Sequence, residues 1–129
     1  MNSAKDVRAQ GLDKFYTKGD IVDKCLKTLN SHYDIHCFTK VIEPSAGNGS
    51  FLKKLPKNTR VGVDISPEYN EILKQDFLSY KPGKTEGKIL IIGNPPFGKM
   101  CSLAVKFFNH SSDFSDVIAF IIPRTFRRT

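Results

Sequence analysis

The sequence predicts an α/β protein built on an open parallel sheet with helices on both faces. Three observations carry this expectation. Short apolar, β-branched runs recur along the chain: "VI" at 41–42, "RVGVD" at 60–64, "ILIIG" at 89–93 and "VIAFII" at 117–122. Segments of helical period or turn-rich composition separate them, the alternation seen where a parallel sheet is covered on both sides. The residues with chemical promise, Glu43, Asp64, Asp76 and Asn94, each fall at the carboxyl end of such a run, where open parallel sheets bind their ligands.

Taken in order, residues 1–12 are polar and unpatterned and are expected to be a flexible segment. Residues 13–129 form the single expected domain, a length sufficient to bury a core. Ile21, Val22, Cys25, Leu26 and Leu29 recur at helical spacing, which predicts a first helix of roughly three turns with Asp20 as its N-cap. "KVIEPSAGNGSFLKKL" reads as a strand at Val41 and Ile42, a loop over residues 44–49 and a helix over residues 50–55. A second strand ends in Asp64, since Pro67 closes the ladder soon afterwards. "EILKQDFLSY" supplies a third strand and "KPGKTEGK" a turn-rich connector. "ILIIG" is the fourth strand, and "MCSLAVKFFNH" a helix with Leu103, Ala104, Phe107 and Phe108 on one face. The fifth strand is stopped by Pro123.

Composition narrows the functional classes. No apolar run approaches the roughly 18–20 residues of a membrane span, and "MNSAKDVRAQ" lacks the apolar core of a secretory signal. A cytoplasmic setting (bacterial, phage or viral-factory) or a nuclear one is expected, not secretion. Cys25, Cys37 and Cys101 are odd in number and unpaired in spacing, and His32, His36 and His110 show no ligand spacing with them; neither a disulfide framework nor a metal site is expected. The net charge of +7 makes a polyanion a plausible partner. Arg124, Arg127 and Arg128, with Lys99, are the candidate phosphate contacts, a solvated basic tail being the alternative for the three arginines.

Two loops invite chemistry. "EPSAGNGSF" places Gly47 and Gly49 between a strand and a helix, where the absence of Cβ lets backbone approach a ligand. Leu52 stands where a dinucleotide fingerprint needs its third glycine, which favours something smaller than a pyrophosphate. Asp64, about twenty residues on, is placed to accept from both hydroxyls of a ribose, with turn capping as its alternative role. Asp76 offers an acceptor for an exocyclic amine, and Phe77 an apolar platform beside it. In "ILIIGNPPFGK", Pro95 and Pro96 stiffen the chain and push Asn94 out of helical conformation. The Asn94 side-chain oxygen and nearby carbonyls then converge as acceptors, with Phe97 as a flat face. Such a corner suits a planar group bearing an NH2, whose pyramidal, nucleophilic geometry it would favour.

"NPPF" at 94–97 resembles the [DN]PP[YFW] signature of S-adenosylmethionine-dependent amino methyltransferases. "VIEPSAGNGSF" resembles their first motif, and "KFYTKGDIVDKCL" the segment that precedes it in N6-adenine DNA methyltransferases. The order of the three resembles the gamma arrangement. The resemblance implies a Rossmann-like fold with strand order 3-2-1-4-5, S-adenosyl-L-methionine as cofactor, and methyl transfer to the N6 amine of adenine in DNA with base flipping. It places Tyr16, Thr17 and Lys18 near the methionine part. Glu43, Ser45, Ala46, Gly47 and Gly49 would line the cofactor loop, Asp64 with Ile65 the ribose, and Asp76 with Phe77 the adenine. Asn94 would border the cofactor and, with Pro95 and Pro96, bind the target amine, while Phe97 would stack on the target base. RNA bases or a protein glutamine are alternative substrates of the same motif, and a catalytically silent cofactor- or nucleic-acid-binding module is the alternative from another class. Family members add an antiparallel strand pair after the fifth strand, then a target-recognition domain. With Thr129 following so soon, the catalytic domain is expected to lack that pair, with a homodimer or a separate recognition domain or subunit completing it.

Overall fold

A computed structural model describes residues 18–122. The expectations for the first twelve residues and for Tyr16, Thr17, Pro123, Arg124, Arg127 and Arg128 lie outside the described residues. The elements run α1 (Gly19–Asn30), β1 (Phe38–Glu43), β2 (Arg60–Asp64), β3 (Leu73–Lys74), β4 (Lys88–Gly93), α2 (Ser102–Ser112) and β5 (Val117–Phe120). Single 3₁₀ turns lie at Ile35–Cys37, Leu52–Lys54, Phe77–Ser79 and Lys99–Cys101. The five strands form one all-parallel sheet of order β3-β2-β1-β4-β5, a Rossmann-like α/β arrangement.

Both faces of the central strands are apolar because both are covered. Val41, Leu90 and Ile92 pack with Val22 and Leu29 of α1 and with Phe51, Leu52 and Leu55. Their neighbours Ile42, Ile89 and Ile91 point the other way, into Val63, Phe77, Tyr80 and Phe107 of α2. Alternation along β1 and β4 thus splits the core into two layers, with one α-helix on each. The register pairs Glu43 with Gly62 and Gly93 with Phe120, so the strands carrying the candidate residues end close together.

Four local expectations change. Asp20 lies inside the first turn of α1, and Lys18 takes the N-cap position, because the amides of Ile21 and Val22 both donate to the Lys18 carbonyl. The helix expected over residues 50–55 is only the 3₁₀ turn Leu52–Lys54; Pro56 ends it, and the Arg60 guanidinium donates to the Leu52, Lys53 and Leu55 carbonyls. The third strand shrinks to Leu73–Lys74 at the sheet edge, since the rest of its segment forms turns. α2 starts at Ser102, because Met100 and Cys101 adopt left-handed backbone angles of φ 55° and 63°. Its buried face is Ala104, Phe107 and Ser111, and Phe108 stays 50% exposed on a neighbouring flank.

Candidate functional site

The site is built at the carboxyl ends of β1, β2 and β4. Glu43 closes β1 with only 3% of its surface exposed. Burial, reinforced by the charge of Asp64, pushes its carboxyl well above the usual range, while a hydrogen bond from the Leu52 backbone pulls the other way. Glu43 Oε1 is buried and has no hydrogen-bond partner. β4 reaches this carboxyl only because its last residue is Gly93, at φ +150°, where a Cβ would lie 2.8 Å from Glu43 Cγ. That glycine is a site residue the sequence reading missed; its position before Asn94 at a strand end was the available signal.

Asn94 follows, and its side-chain Oδ1 is likewise buried without a partner. Pro95 and Pro96 are buried behind it, as befits a stiff brace. The Phe97 carbonyl accepts from the Leu103 and Ala104 amides at 3.0 and 3.2 Å, so the corner is tied to the start of α2. The Phe97 ring is half-buried, and Lys99 and Met100 beyond it are exposed.

The glycine loop is held from β2. The Ala46 amide donates to the Val63 carbonyl at 3.0 Å, and the Gly47 amide to Asp64 Oδ2 at 2.8 Å. Asp64, 5% exposed, also accepts from the Ser66 amide through Oδ1 at 2.8 Å. It therefore performs the turn-capping role. Ile65 is exposed beside it and Ser45 half-buried in the loop. Gly49, at φ +82°, is required for a protein contact: a Cβ there would meet the Tyr69 ring at 2.7 Å. Tyr69, which the sequence reading did not single out, covers the loop from the segment after β2 and carries Lys53 Nζ 4.4 Å over its ring.

Asp76 caps the following 3₁₀ turn by accepting from the Leu78 amide at 2.9 Å and is exposed. The Phe77 ring, 1% exposed, is taken up by core packing with Tyr80, Phe107, His110 and Phe114. Its backbone, not its face, is what remains at the strand end. Lys18 stands exposed at the N-cap of α1. Direct contacts thus join Glu43 to Gly93, the residue before Asn94, and Gly47 to Asp64, and the charge of Asp64 reaches Glu43. Among the described residues there is no group of three or more His, Cys, Asp or Glu able to hold a metal ion, and no helix long and apolar enough to cross a membrane.

No protein-family model, curated protein or solved structure matches the chain. The class that fold and site define is a Rossmann-like α/β protein with a buried carboxyl and a half-buried amide, each with one buried, unpaired oxygen, at adjacent strand ends.

Proposed function

We propose that this chain is the catalytic domain of an S-adenosyl-L-methionine-dependent amino methyltransferase acting on the N6 amine of adenine in DNA. One observation carries the reading: Glu43 Oε1 and Asn94 Oδ1 are both buried and unpaired at the carboxyl ends of β1 and β4. A buried polar atom left unpaired costs about 1–3 kcal/mol. Such a cost is understandable where a ligand bearing N–H donors or positive charge completes the site.

The residues present fit that cofactor. The loop over residues 45–49 and Asp64 offer backbone and carboxylate groups to a ribose, and Glu43 offers a buried acid to a cation. When bound, the cofactor supplies an electrophilic methyl group on a positively charged sulfur. Asn94 accepts from the target amine and holds its lone pair toward that methyl. Phe97 stacks on the base, and a base within a duplex is first flipped out at a cost of a few kcal/mol. The net charge of +7 favours a nucleic-acid substrate over a protein one.

Calorimetric titration with S-adenosylmethionine, followed by transfer of a tritiated methyl group to DNA, RNA and protein, tests the reading. Binding followed by transfer to DNA is expected. Asn94→Ala should still fold and lose transfer by on the order of 10²-fold or more. A folded chain that binds no cofactor sinks the proposal, and full transfer by Asn94→Ala removes the role given to that residue.

A further inference from the structure

Resting on the cofactor reading above, we propose that Glu43 accepts the proton that the target amine loses during methyl transfer. An amine that gains a methyl group must shed a proton, and the acceptor has to lie at the corner where the amine is held. Asn94 accepts hydrogen bonds but is no base. Both oxygens of Asp64 are engaged by backbone amides, and Asp76 is exposed and caps a turn. Glu43 differs from both: its Oε1 is buried without a partner, and its side chain lies against Gly93, the residue before Asn94.

The step balances. The N–CH3 bond forms as the S–CH3 bond breaks, and the S–C electron pair stays on sulfur, which becomes neutral. One N–H bond of the amine breaks, its pair stays on nitrogen, and the proton goes to the Glu43 carboxylate. One positive and one negative charge therefore disappear together, leaving a thioether, a methylated amine and a carboxylic acid.

The surroundings of Glu43 set the timing. Asp64 at the end of β2 is the charged group that acts on it; β4 presents the Gly93 backbone, and the 52–54 turn presents the Leu52 amide. Burial and Asp64 favour the protonated acid in the free protein. A bound cation reverses that preference, so cofactor binding expels the proton. Discharge of the cation during transfer restores the carboxylate's affinity for a proton as the amine releases one.

The test is calorimetry of S-adenosylmethionine binding at several pH values between 5 and 8, each in two buffers of different ionisation enthalpy. Wild type should release a proton on binding wherever free Glu43 is protonated, the release fading as pH rises, and Glu43→Gln should bind while releasing none. Glu43→Gln should also transfer methyl groups on the order of 10²-fold more slowly and lose the acid limb of the pH–rate profile. Binding without proton release, or a Glu43→Gln variant with wild-type rate and pH profile, overturns the proton role and leaves the methyltransferase reading standing. Absence of any cofactor binding by a folded chain overturns the reading, and this inference with it.

Discussion

At the scale of single residues, a buried carboxyl beside another carboxylate links stability to pH. The Glu43 proton is held more tightly in the folded chain than in the unfolded one, where its affinity corresponds to a pKa of about 4.3. Its favourable contribution is therefore complete below that value and is lost as pH rises through the elevated folded value. Glu43→Gln carries no such proton. Thermal melts from pH 4 to pH 8 should show the two proteins alike at the acid end, with the variant increasingly the more stable as pH rises. A constant difference across the range would mean that the carboxyl does not titrate as its burial dictates. Glu43, Asp64 and Asn94 were legible in the chain because strand ends are marked by the change from apolar runs to Pro, Gly and acidic residues. Gly93 and Tyr69 were not, because their importance lies in what they touch: the Glu43 side chain in one case, Gly49 in the other.

At the scale of elements, Arg60 at the start of β2 joins to that strand two segments that have little regular structure of their own. Its guanidinium makes a two-pronged pair with Glu71, at 2.7 and 2.6 Å, and also donates to carbonyls of the 52–55 segment. This pairing raises the Arg60 pKa and lowers that of Glu71, the hydrogen bond being the largest cause in each. Arg60→Met should destabilise the fold by about 2 kcal/mol, through loss of the Glu71 pair and of the donor to the Lys53 and Leu55 carbonyls. Urea denaturation measures this, and a loss below about 0.5 kcal/mol, ordinary for a surface change, would show the staple to be dispensable. The strands β4 and β5 were readable from their unbroken apolar runs; β1 was readable only at Val41 and Ile42, because Thr39 and Lys40 hide its start at Phe38. The segment 50–55 was not, since a glycine loop followed by "SFLKKL" has helical composition, yet Pro56 and Arg60 confine it to one 3₁₀ turn. α2 was readable as a helix but not in its start, where the two left-handed residues precede Ser102.

At the scale of the whole molecule, β5 has the composition of an interior strand and the position of an edge. It pairs only with β4 among the described residues, and all four of its residues are half-buried. An apolar groove of about 360 Å³ lies on one side, bordered by Cys25, Leu29 and Ala119. Another of about 400 Å³ lies on the other, bordered by Val105, Phe108 and Phe120. An edge without charge, bulge or proline invites pairing, so sedimentation velocity should show self-association as concentration rises. Ala119→Lys, which places a charge on a half-buried face, should weaken it; a chain that stays monomeric at high concentration would contradict this account.

The sequence by itself determined the alternation of strands and helices, the parallel sheet, and the positions at which polar residues interrupt apolar runs. These are local properties: side-chain period, proline geometry and glycine placement depend on a few neighbouring residues. Only the tertiary structure decided what those residues do to one another. It placed Glu43 against Gly93 and near Asp64, left the Glu43 and Asn94 oxygens unpaired, engaged both Asp64 oxygens with backbone amides, and drew Phe77 into the core. Burial, desolvation and hydrogen-bond satisfaction depend on partners distant along the chain, and those partners exist only once the sheet has brought its strand ends together.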